Sequence, residues 1–217
     1  MDKANRLLLL CASPRKQGTS AMLLRRIQKS AGGDLVFLPQ QGDFTEVLAA
    51  MRRADSMVIS GPCYVNSYPA RLYQLVEAAA REGGFAGQKL YGIINGGMPY
   101  THTHRHGLDM LSLFAGGCAL TWQGGFVLGG GAMLDGKELE KHLSRRRLVP
   151  AFDRFIQHIK AGSPSPDNLY EDAQKPLGRL LTLLMAKLLT RMAEKRIRQH
   201  GHDPNAPNAY LRDRPPT

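Results

Sequence analysis

Five short apolar runs, each followed by a helical pattern, constrain this chain more than any other feature of its sequence. The first run, within residues 6–12, is unbroken from Leu7 to Ala12 and stops at Ser13-Pro14-Arg15-Lys16-Gln17-Gly18. A strand wet on one face would alternate, whereas a continuous run of this length fits a strand buried on both faces. Residues 19–30 then set Met22, Leu23, Leu24 and Ile27 among Arg25, Arg26 and Lys29, which is a helical spacing. The same reading gives strands at 34–38, 56–60, 89–94 and within 119–128. Helices are read over 44–54, 69–81, 107–115 and 136–160, with Pro150 as a point of interruption in the last. Regular β-α alternation implies an α/β fold, a parallel sheet with helices on both faces.

The Gly162-Ser163-Pro164-Ser165-Pro166 stretch is a linker signal, so the expected domain is 1–161, with an appendage over 162–217. The appendage holds one more helix, about 176–200. Its Leu177, Leu180, Leu181, Leu184, Leu188 and Met192 fall within roughly a third of the circumference. Residues 201–217 contain four prolines and read as irregular. The net charge is +11; residues 175–217 hold nine of the 29 Lys and Arg and three of the 18 Asp and Glu, so they supply +6 of it. The remaining +5 is spread over 174 residues, so no nucleic-acid partner is expected of the main domain. The helix has three readings: packing on its own domain or a second subunit, lying on an anionic membrane through Lys175, Arg179 and Lys187, or a loose basic tail. Arg179, Lys187 and Arg191 interrupt every long apolar run, so it is not expected to span a bilayer. Cys11, Cys63 and Cys118 are far apart and odd in number, which fits reduced thiols rather than a disulfide framework. The Leu7–Ala12 run is too short for a signal peptide, and a cytoplasmic protein is expected.

Three turn clusters follow predicted strands, and in an open parallel sheet such loops meet beyond the strands' carboxyl ends. Ser13–Ser20 joins a buried strand to a helix N-terminus, where free N–H groups and the helix dipole favour an anion. Ser13, Thr19 and Ser20 offer hydroxyls, Gly18 permits close backbone approach, and Arg15 adds charge-assisted bonds. The alternative is a plain strand-to-helix turn with Thr19 or Ser20 as N-cap. The loop is neither GxxxxGK[ST] nor GxGxxG, which weighs against ATPase and Rossmann dinucleotide readings.

SPRKQGTS resembles the SPRxxGxS/T phosphate loop of the flavodoxin-like NAD(P)H-dependent FMN reductases. Residues 54–70, ADSMVISGPCYVNSYPA, are similar to that family's segment after the third strand. Asn95-Gly96-Gly97-Met98-Pro99-Tyr100 matches its Gly-containing loop after the fourth. The resemblance covers about residues 5–160. It implies a flavodoxin-like three-layer sandwich with strand order 2-1-3-4-5. It further implies FMN phosphate on Ser13, Arg15, Gln17, Gly18, Thr19 and Ser20. Pro62, Cys63, Tyr64, Val65 and Asn66 would line the isoalloxazine, and Asn95, Gly96, Gly97 and Tyr100 would approach its polar edge. Val65 replaces the family's usual aromatic after Tyr64. No cysteine lies between 12 and 62, so the iron–sulfur branch of the family is not supported.

The implied function is an FMN-dependent NAD(P)H oxidoreductase acting on a small acceptor such as a quinone, flavin, nitro or azo compound. The family's pocket is often completed by a second subunit, so a homodimer or homotetramer is implied. The alternatives are an electron carrier without its own substrate, against which the net charge of +11 argues, and a non-catalytic module of the same fold. No acid–base triad is expected, because flavin carries the chemistry. Cys63 is read as a small residue beside the flavin rather than a nucleophile. His102, His104 and His106 would scatter on a helix, so solvated or pocket histidines are favoured over a metal site; contact with reduced flavin or a nicotinamide phosphate is the other reading.

Overall fold

A computed structural model of the chain describes residues 6–174 and 178–206. The chain divides into two compact units, Met1–Lys175 and Pro176–Thr217. In the first, β1 (Leu7–Cys11), β2 (Asp34–Phe37), β3 (Ser56–Pro62), β4 (Lys89–Asn95) and β5 (Thr121–Leu128) alternate with α1 (Thr19–Ala31), α2 (Thr45–Arg53), α3 (Ala70–Glu82) and α4 (His106–Gly117). Then come α5 (Arg145–Ala161) and α6 (Asn168–Glu171). The sheet runs β2-β1-β3-β4-β5. Every pairing is parallel, with Leu8 opposite Asp34 and Met57, and Ser56 opposite Lys89.

This order follows from the side chains. All five residues of β1 are buried, and Met57, Val58 and Ile59 of β3 are fully so. Strands with no wet face must sit centrally and be covered twice. Helix α1 packs beside α5 and α3 beside α4, and right-handed crossovers put these pairs on opposite faces of the sheet. The chain leaves β1 toward β2 on one side and β3 toward β4 on the other, so the loops after β1 and β3 diverge and leave a crevice.

Three expectations change. Residues 136–144 are not helical; 3₁₀ turns cover Gly131–Met133 and Leu139–Lys141, and α5 begins at Arg145. Leu134 and Leu139 are buried, so this segment is a loop pinned to the core. Pro150 lies inside α5 without ending it, because Leu148, Ala151, Phe152, Phe155, Ile156 and Ile159 form a buried face that outweighs one missing N–H.

The compact unit also runs on past 161. The Ser165 N–H donates to the Gln123 carbonyl at 2.7 Å. The Gln174 amide donates to the Val127 carbonyl at 2.7 Å and accepts from the Gly129 N–H at 2.8 Å. Tyr170 packs on Phe126 with ring centroids 6.0 Å apart, beside Phe152 and Phe155. The Pro-Ser stretch therefore covers the open edge of β5, which would otherwise present unpaired backbone.

In the second unit, α7 (Arg179–Gln199) forms where a helix was expected. Lys175, Leu177 and residues 207–217 lie outside the described residues. No helix among the described residues is long and apolar enough to cross a membrane.

Candidate functional site

Four strand ends deliver loops to one cleft of about 140 Å³. Ser13, Arg15, Gly18, Thr19 and Ser20 line it after β1, Pro62, Cys63 and Tyr64 at the end of β3, and Asn95, Gly96 and Gly97 at the end of β4. Ala132 and Asp135 come from the loop after β5. Gln17, Val65, Asn66 and Tyr100 are not among the lining residues.

The first turn of α1 has Gly18 as N-cap and no side-chain cap, so its leading N–H groups keep their capacity for an anion. The Ser13 Oγ accepts from the Arg15 N–H at 3.2 Å and so shapes the loop. The Ser20 Oγ accepts from the Asn95 amide at 2.7 Å, which directs its own O–H elsewhere. The same amide donates to the Gly61 carbonyl at 3.0 Å. Asn95 is buried, and it ties the ends of β3 and β4 to the start of α1. Its amide thus acts on the scaffold.

Thr19 differs from its expected role. Its hydroxyl donates to the Gly131 carbonyl at 2.8 Å and accepts from the Gly136 N–H at 3.3 Å. One side chain therefore stitches both ends of the 131–136 loop to the phosphate-type loop. Gly136, at φ +81°, lets that loop lie against the Gln17 carbonyl, where any Cβ would collide. Arg15 and Asp135 pair at 2.6 Å across the seam. The Arg15 bond holds the Asp135 carboxyl below its ordinary pKa. The sequence reading missed Ala132 and Asp135. The Gly129-Gly130-Gly131 run after β5 is the signal that could have found them, since loops at the carboxyl ends of strands line the crevice.

At the second loop, Tyr64 and Ser67 exchange backbone hydrogen bonds around Val65 (φ 50°) and Asn66 (φ 67°). Both central residues are left-handed, as in a type I′ turn; Asn accepts this readily and a β-branched Val does not. The turn points Val65 to solvent, 98% exposed, and leaves Tyr64 half-exposed at the cleft mouth. Burial pushes the Cys63 thiol pKa up, which disfavours a thiolate nucleophile.

The three histidines part company. His104 is buried, and its Nε2 bonds the Met98 carbonyl at 3.0 Å while its Nδ1 has no partner among the described residues. His102 stacks on Tyr100, and His106 pairs with Asp109 on α4. His142 has a clearer task. Its Nδ1 accepts from the Ser144 N–H at 3.0 Å, so its Nε2 donates to the Gly129 carbonyl at 2.9 Å. This needs the neutral ring, and burial lowers the His142 pKa despite the opposing Gly129 bond. The group's stabilisation is complete above its ordinary value of 6.5 and is lost as pH falls through the lower folded pKa. His142→Gln is therefore expected to flatten the decline in melting temperature between about pH 7 and pH 5, measured by thermal denaturation. An unchanged decline would assign the acid sensitivity to other groups.

No protein-family model matches the chain, and no curated protein does. Solved structures do match. An NADH:FMN oxidoreductase in its apo form aligns with a TM-score of 0.56 at 15% identity, over 77% of this chain and 94% of its own. A flavodoxin from Pseudomonas aeruginosa gives 0.51 at 17%, over 71% and 99%. The chain has a flavodoxin-like fold. An NADPH-quinone reductase from P. pentosaceus shares this fold, with a TM-score of 0.55 at 14% identity over 70% and 97%. In a flavodoxin-like sheet the crevice at the β1/β3 reversal is the place for a ligand, and the cleft lies there. Identities this low tie the chains by fold.

Proposed function

We propose that the chain is an FMN-dependent NAD(P)H oxidoreductase passing electrons from a nicotinamide to a small acceptor, such as a quinone, free flavin, nitro or azo compound. One observation carries this reading: an uncapped helix N-terminus, Arg15 and the Ser13 and Ser20 hydroxyls converge on a cleft walled opposite by Pro62, Cys63 and Tyr64. The donors suit a phosphate, and the Pro62–Tyr64 wall suits a flat ring. A Cβ at Gly97 would meet only Ala132, at 3.7 Å, so the third loop leaves room on that side. FMN, when bound, supplies hydride acceptance from the nicotinamide and one- or two-electron delivery. The chain's part is to anchor the phosphate on α1, to offer Tyr64 as an apolar face, and to keep Cys63 an uncharged neighbour.

A homodimer or homotetramer belongs to the same proposal. Tyr64, Val65, Met98 and Met133 are exposed around the cleft, which is the surface a second copy would cover. The three cysteines are free, which supports a cytoplasmic protein.

The test is optical. The purified protein, supplied with FMN, is expected to bleach near the flavin absorbance maximum when NADH or NADPH is added without oxygen. A flavin that stays oxidised until a separate reductase is added would make the chain an electron carrier. A protein that takes up no FMN would refute the flavin reading.

Asp135 supplies a sharper check. It competes with a phosphate for Arg15, so Asp135→Asn is expected to tighten FMN binding several-fold at low salt and leave riboflavin unchanged. Fluorescence titration of both flavins measures this. A loss of FMN affinity would mean that Asp135 orients Arg15 instead of competing for it.

A further inference from the structure

The function above leaves α7 unused, and α7 carries an unusual surface. Leu183, Leu184, Leu188, Leu189 and Met192 are all more than half exposed. Leu184, Leu188 and Met192 recur every fourth residue and so share one face, with Leu189 beside it. Arg191 flanks this face, and Lys195 and Arg196 continue it one turn further on. Over Arg179–Gln199 there are six basic side chains and a single acidic one, Glu194.

Charge decides what can cover such a face. The rest of the chain is also positive, +5 over residues 1–174, and a second α7 would bring the same excess of positive charge. Pairing with a second α7 therefore sets like charges together. The complementary surface is anionic, and it must also accept leucine and methionine. Nucleic acid meets the first demand only. An anionic bilayer meets both: it takes up leucines at the acyl boundary and pairs Lys and Arg with headgroups. The long stems of Lys195 and Arg196 let their charges reach headgroups while the face stays seated. The helix, about 31 Å long, lies in the interface; it is not apolar enough to cross.

We infer that α7 binds the surface of an anionic membrane and tethers the flavodoxin-like unit there. The experiment is co-sedimentation of the full chain with vesicles of phosphatidylcholine alone or mixed with phosphatidylserine, at low and high salt. The protein is expected to pellet with the mixed vesicles at low salt, to be released by high salt, and to ignore phosphatidylcholine. Lys195→Gln with Arg196→Gln keeps good helix formers and is expected to weaken binding roughly thirtyfold. Leu184→Asp with Leu188→Asp is expected to abolish it. The inference is overturned if the chain stays in the supernatant or pellets equally with neutral vesicles. It is also overturned if the leucine variant turns an oligomer into a monomer while vesicle binding persists, which would give the face to a second copy. None of these outcomes depends on FMN, so the flavin reading stands or falls apart from them.

Discussion

Arg15→Ala combined with Ser20→Ala is expected to weaken FMN binding about a hundredfold, close to 3 kcal/mol, while riboflavin binding changes little. Arg15 stands at the cleft with its guanidinium held by Asp135, and that exposed pair is worth little by itself, so exchanging its carboxylate for a phosphate costs little. Ser20 offers an O–H because the Asn95 amide already fills one of its lone pairs. Removing Ser20 alone leaves the Asn95 amide its bond to Gly61, so the scaffold survives and the loss reads as ligand affinity. Titration of both flavins against the double variant measures the difference. Equal loss for FMN and riboflavin would place the phosphate elsewhere.

Gly96→Ala is expected to destabilise the first unit by about 3 kcal/mol and lower its melting temperature by about 10 °C. A Cβ at Gly96 would run into the His104 ring. His104 is buried, so the ring has no room to retreat without moving the Met98 carbonyl it bonds. The companion variant His104→Ala opens that space, and the pair Gly96→Ala/His104→Ala is expected to recover part of the loss. Thermal denaturation of the two single variants and the pair gives the coupling. Additive losses would show that the collision is relieved by a backbone shift instead.

Much of the sheet was legible because burial on both faces leaves a local signature. Leu7 to Cys11 and Met57 to Ile59 read as strands from composition alone, and their turn clusters marked where a cleft would form. The parts that were not legible depend on partners distant in sequence. Residues 163–174 look like a linker, since proline and serine carry no periodicity; their place comes from backbone groups of β5. Residues 136–144 read as the first turns of a helix, yet Leu139 is drawn into the core from a 3₁₀ turn and α5 begins only at Arg145. Thr19 read as a phosphate donor, and no local pattern discloses that its hydroxyl is engaged by Gly131 and Gly136. Asp135 falls between the Gly129–Gly131 turn and the stretch read as helical, where no local pattern marks it. Val65 and Asn66 sit in a sequence similar to a flavin-lining loop, but the tight turn they form aims Val65 away from the cleft.

The bonds from Thr19 to Gly131 and Gly136 join segments more than a hundred positions apart. During synthesis the Ser13–Ser20 loop leaves the ribosome before the rest of the cleft, and its fourth wall emerges only after β5. A nascent chain halted behind β4 would hold most of the anion donors and none of the cover. Ligand capture is therefore tied to completion of the sheet, so a flavin that binds this cleft would select finished molecules over partial ones and add its binding free energy only to the whole fold.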